Sequence, residues 1–184
     1  AGARWAPGPH ADASSGRRLA GAIWGRVKGE RGAAEVDARG PASVANALRS
    51  LAQASQASSH VAEFRVAWRT DGEVRWLRFS VARGARWDAF ERSLGRLDHL
   101  SLGPGTDFKA LARAIKLKCA RCREAGGTVA VDGPLADAAA ANSLAKSLAE
   151  VPRLTGAARA PRYVAVPVGD RLLRVHVLAG GGEL

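Results

Sequence analysis

The chain is most informative first in what it lacks. It has no Met, two Cys, one Tyr, four Phe and five Trp in 184 residues. The two cysteines, Cys119 and Cys122, are too few for a disulfide scaffold. As a CxxC pair without a second pair they cannot complete a four-ligand zinc site. Cys119 continues an apolar helix stripe, so a structural thiol is expected there and no metal. No stretch of about 20 apolar residues occurs, which excludes a membrane-spanning helix. No repeat with glycine at every third position and no sustained heptad is present, so collagen and coiled coil are excluded as well. The four His residues, His10, His60, His99 and His176, are scattered and form no HExxH-type pattern. With no P-loop and no dinucleotide fingerprint either, the chain is expected to be no enzyme and to carry no cofactor. The chain begins with Ala1 rather than Met, which suggests processing, as by removal of an organelle transit peptide. A mitochondrial or plastid location is therefore expected.

Apolar residues make up 47%, but 39 of them are Ala. The large apolar side chains suffice for one small core or two very small ones, not for a large enzyme body. Lys is scarce too. Arg provides 23 of the 28 basic residues, against 17 acidic ones, for a net charge of +11 and a pI near 11.1. Guanidinium groups fork onto phosphate and stack on bases, so this bias points to an anionic partner, nucleic acid first.

The order of elements repeats. Residues 1–16 are rich in Pro, Gly, Ala and Ser and read as an irregular arm. Leu19, Ile23 and Val27 put one stripe on a helix from about Arg17 to Glu30. A strand follows at Ala33 to Ala38. The Gly40-Pro41 turn and a Ser43 cap lead into a helix from Val44 to Ala54. Two alternating segments, Val61 to Trp68 and Val74 to Arg83, flank an Asp71-Gly72 hairpin signal. The segment 87–95 connects, and WDAFERSL within it can form a turn of helix. The second unit spans 96–178. Its strand at Arg96 to Leu102 precedes a helix capped by Thr106 or Asp107 and running to Glu124. A strand at Thr128 to Val131 and a helix from Ala136 to Glu150, ended by Pro152, come next. The closing hairpin, Tyr163 to Val168 and Arg171 to Leu178, has Gly169-Asp170 as a two-residue turn. Residues 179–184 are a Gly-rich tail. LAGAI at 19–23 matches LARAI at 111–115, and LRSLA at 48–52 matches LAKSLA at 144–149.

These units, 17–86 and 96–178, read as β-α-β-α-β-β, an α/β (α+β) arrangement. The run LAGAIWGRVKGERGAAEVDARGPASVANALRSLA followed by DGEVRWLRFSVAR resembles the stage V sporulation protein S family within the Alba-like superfamily. The likeness covers about Leu19 to Arg83 and is weaker in the second unit, where Asn142 falls at the family's helix Asn. The first unit has Ala45 there, with Asn46 beside it. Such domains commonly pair, so two tandem copies imply an internal pseudo-dimer, and the family implies nucleic-acid binding without catalysis. The expected function is therefore an RNA-binding module, RNA ahead of DNA, in a ribonucleoprotein such as an organelle ribosome. The competing expectation is a structural subunit of a large organelle protein complex that uses the units for protein contacts. The candidate binding residues are Arg69, Arg75, Arg78 and Arg83 with Trp76 as a stacking platform on the first hairpin. Lys109, Arg113 and Lys116 on the long helix are the next candidates.

Overall fold

Strict alternation over the long first hairpin sends Leu77, Phe79 and Val81 to one side and Trp76, Arg78 and Ser80 to the other. The apolar side needs a cover, and the striped helices provide it. The computed structural model describes residues 13–29, 32–103, 105–134, 137–156 and 160–178. Within them, helices and strands follow one another as α1 (Ala13–Lys28), β1 (Ala33–Ala38), α2 (Gly40–Gln56), β2 (His60–Asp71), β3 (Val74–Arg86) and α3 (Trp87–Ser93), then β4 (Arg96–Ser101), α4 (Phe108–Ala125), β5 (Gly127–Pro134), α5 (Ala138–Thr155), β6 (Arg162–Val168) and β7 (Leu172–Leu178). The result is an α+β fold with five helices and one seven-stranded mixed sheet among the described residues, ordered β1-β3-β2-β6-β7-β5-β4. Only β4 and β5 run parallel. The helices α1, α2, α5 and α4 cover one face and build the main core with the inward strand residues. On the other face α3 seals a small cluster in which Phe90 packs with Val61 and Val164.

The two halves of the sheet meet at β2 and β6 through two residue pairs only, Glu63 with Val164 and Phe64 with Tyr163. Phe64 and Tyr163 hold the same place in their hairpins. Phe64 lies opposite Val81 on β3, and Tyr163 lies opposite Val177 on β7. Both are fully buried, with ring centroids 5.7 Å apart, and Phe79 stands 6.0 Å from Phe64. Above this seam α2 packs on α5 and on β6, so the helix layer bridges what the strands barely join.

Several expectations need correction. Residues 13–16 belong to α1 rather than to an irregular arm; residues 1–12 and the tail 179–184 lie outside the described residues. The first unit shows no strand before its helix among the described residues, whereas β4 takes that place in the second. Ser43 does not cap α2. The helix begins at Gly40 with Pro41 in its first turn, where a missing N–H costs nothing, and Ser43 is buried inside it. The second hairpin turns through residues 169–171, since Val168 pairs with Leu172. Asp107, as expected, caps α4, accepting from the Ala110 amide at 2.8 Å.

Pro152 does not end α5, which continues to Thr155. A proline inside a helix removes the bond to the carbonyl four residues back and leaves that oxygen without its donor. Here the oxygen is that of Leu148, and the Tyr163 hydroxyl donates to it at 2.8 Å. Burial holds this hydroxyl protonated, well above its ordinary range, so it remains a donor. One tyrosine thus fills the seam with its ring and repairs the helix above with its hydroxyl. Tyr163→Phe is expected to cost about 1–3 kcal/mol, because it strands a buried carbonyl without creating a cavity. Leu148→Ala and Leu51→Ala, both at fully buried positions, are expected to cost about 2–5 kcal/mol each. Urea unfolding measures all three, and a Tyr163→Phe midpoint equal to wild type contradicts the role given to the hydroxyl.

Candidate nucleic-acid interface

The first hairpin is long, with strands of 12 and 13 residues against 7 and 7 in the second. Its tight turn uses Gly72 at φ 56°, a conformation only glycine takes freely. Arg69 pairs with Trp76 near this end, on the sheet face away from the large helices. Arg69 is exposed, but Trp76 is 8% exposed and lies under the Arg39 guanidinium, 4.8 Å from the ring centroid. Trp76 is therefore no open platform, and a base can reach the ring only after Arg39 moves aside. On the helix-side face the Arg75 guanidinium stacks 4.0 Å from the centroid of Trp68. The Trp68 indole N–H donates to Glu150 of α5 at 3.1 Å. Arg39, Arg69 and Arg75 are thus exposed guanidinium groups near one end of the sheet, two of them held by indole rings. The exposed carboxylates of Asp71 and Glu73 flank the turn itself, which limits the positive field to the sides of the hairpin.

Arg78 belongs elsewhere. It is 8% exposed and donates to both oxygens of Asp37, at 2.7 and 2.9 Å, with Glu35 at 3.1 Å from a third nitrogen. Its hydrogen bonds to Asp37 raise its pKa further. A guanidinium so occupied cannot also hold a phosphate. Arg83 is exposed but binds the His60 ring at 2.8 Å. It lies seven strand positions from Trp76, about 23 Å along β3 at about 3.3 Å per residue. Lys109, Arg113 and Lys116 are exposed on α4, which packs over β4 and β5 at the opposite end of the strand order from β1. The structure therefore groups Arg69 and Arg75 with the unforeseen Arg39 and Trp68. Arg78, Arg83 and the α4 stripe stay outside that group.

The Arg78–Asp37 pair has a counterpart. Arg174 on β7 donates to Asp132 on β5 at 2.7 and 3.0 Å, and each arginine lies directly opposite its carboxylate. His99 adds a contact to Asp132 at 3.1 Å, and these partners hold the Asp132 carboxyl below its usual range despite its burial. The local sequences correspond as well, with Val36-Asp37-Ala38 beside Val131-Asp132-Gly133 and Leu77-Arg78 beside Leu173-Arg174. This short similarity was legible, yet its meaning depends on strand register.

The described residues hold no group of three or more His, Cys, Asp or Glu side chains arranged for a metal, and no helix among them is long and apolar enough to cross a membrane. Cys122 is buried, and burial beside it pushes the Cys119 thiol up to about 11. The Cys119 thiol is thereby held protonated at neutral pH. Compared with family models, curated proteins and solved structures, the chain matches none.

His176 is a buried titrating group on the sheet face away from the large helices. His176 is buried edge-on against Phe90, with centroids 5.4 Å apart. Burial, aided by the charge of Arg174, pushes it down to about 4. The unfolded chain then takes up a proton first as pH falls. Stability is full above about 6.5 and is lost toward pH 4, by up to about 3 kcal/mol. Urea unfolding of His176→Phe across that window is expected to give a flatter profile than wild type.

Proposed function

We propose that the chain is a non-enzymatic nucleic-acid-binding module, RNA ahead of DNA, built from two tandem Alba-like units paired as an internal pseudo-dimer. Support for the pairing comes from the seam. Phe64 and Tyr163 are equivalent positions that face one another, as residues do at a two-fold axis. The matched Asp37–Arg78 and Asp132–Arg174 pairs support duplication independently. The likeness of residues 19–83 to the stage V sporulation protein S family supports the Alba-like reading.

The observation that carries the binding function is the exposed Arg39, Arg69 and Arg75 group beside two indole rings. Phosphate oxygens are the natural partners of such forked donors. Stacked arginine side chains are partly ordered before binding, which lowers the entropy lost in gripping a backbone. Weak dependence on sequence is expected, since phosphate contacts carry no base information. The host is a ribonucleoprotein of a mitochondrion or plastid, such as an organelle ribosome, where a net charge of +11 meets polyanionic RNA.

Fluorescence anisotropy with a labelled single-stranded RNA tests this. Arg39→Ala, Arg69→Ala and Arg75→Ala together remove three phosphate contacts, so the slope of log affinity against log salt should become shallower by about 2. Arg78→Lys is expected to leave the slope unchanged. Equal slopes for wild type and the folded triple variant would falsify the hairpin site. A chain that shows no salt-dependent RNA binding and instead copurifies with protein subunits supports the structural-subunit reading.

A further inference from the structure

A cavity of about 870 Å³ lies where the main core and the small α3 cluster fail to close on each other. One wall comes from the main core, with Val129, Val151 and Val177. The other comes from the α3 cluster, with Phe90 and Leu178. Cys119 and Cys122 also line it, and their thiols are neutral at ordinary pH, so they add to the apolar surface. The polar groups are arranged differently. Arg83 and Arg123, both exposed, stand at the mouth. Arg162 lies deeper and donates to the buried carboxylate of Glu63 at 2.7 Å. That pair neutralises the only acidic side chain among the described lining residues, so the two mouth arginines leave the site net positive. The Arg162 Nε–H is buried and has no partner among the described residues.

The volume is that of a small-molecule site, and an apolar lining with a few convergent donors is the usual composition of one. We infer that this cavity binds a small amphipathic carboxylate, its apolar body between Phe90 and Val151 and its head among the arginines. A dianionic polar ligand fits poorly, since it would press its charge against valine and leucine. A neutral lipid would leave the arginine donors unused. The inference is independent of nucleic-acid binding and concerns a different part of the molecule from the Arg39, Arg69 and Arg75 group.

The probe is 11-(dansylamino)undecanoic acid, titrated into the full chain and followed by dansyl emission. Saturable binding at one site is expected, with Kd on the order of 10–100 µM for a ligand of this size. Decanoate should displace the probe, and decanol should do so at least about tenfold less well, because it lacks the charge. Thr155 is half-buried at the end of α5 and lines the cavity. Thr155→Trp should weaken the probe at least about tenfold with an unchanged melting temperature, as the indole takes up the part of the apolar space beside Val151 that the ligand's chain would occupy. If that variant does not fold, Ser93→Trp obstructs the cavity from α3, beside Phe90, at an exposed position. Arg123→Gln should reduce the affinity for the acid without changing displacement by decanol. Non-saturable uptake, or equal probe affinity in wild type and a folded tryptophan variant, overturns the proposal. So does decanol competing as well as decanoate.

Discussion

Two backbone pairs between β2 and β6 cannot hold a seven-stranded sheet together by themselves, and the packing around Tyr163 is what they depend on. Its ring fills the space beside Phe64 at the seam, and its hydroxyl holds the Leu148 carbonyl that Pro152 would otherwise leave bare. The strand layer and the helix layer are thereby fixed to each other at one point. A second tie crosses the same seam, since Trp68 on β2 donates to Glu150 on α5. A third is Glu63 with Arg162, between β2 and β6 on the far face. Side chains thus compensate for a short ladder, each tie joining residues remote in sequence, so the seam forms only when both halves are present.

The Glu63–Arg162 pair bears on how such a chain would evolve. Glu63 lies opposite Ala82 on β3, and Arg162 lies opposite Leu178 on β7, which are the same place in the two hairpins. In a dimer of identical chains the two positions would carry the same residue and, if charged, would repel across the axis. Only when the two units are no longer identical in sequence can one position become Glu and the other Arg. The proposed pseudo-dimer therefore has a contact at its centre that two identical units cannot make. The same reasoning explains why the two hairpins can differ so much in length. The first projects its arginines, while the second ends early.

Much of the architecture was legible because it is local. Asp71-Gly72 marks its own turn, Asp107 caps the helix that follows it, and the stripe of Leu19, Ile23 and Val27 needs no distant partner to be seen; all three residues are in fact buried. Pro152 was misleading because its effect is decided by Tyr163, eleven positions on and in a strand. The strands run beyond their alternating cores because pairing, rather than composition, extends them through Asp71 and Arg86.

The candidate site was legible only in kind. An arginine-rich hairpin with tryptophans was visible, but alternation assigns a side chain to a face and says nothing of what awaits it there. Arg78 and Trp76 share the face expected of them, yet Asp37 takes the first and Arg39 covers the second. Asp37 is separated from Arg78 by 41 positions, so its charge was counted in the sum and not in the site. Net charge is a property of the chain, whereas binding depends on which guanidinium groups the fold leaves without a carboxylate. Buried Arg78 and half-buried Arg174 spend their donors on carboxylates of neighbouring strands, holding those strands in register. The arginines able to meet a phosphate are then a smaller set than the composition suggests, and the fold places three of them around one hairpin end, with indole rings beneath two.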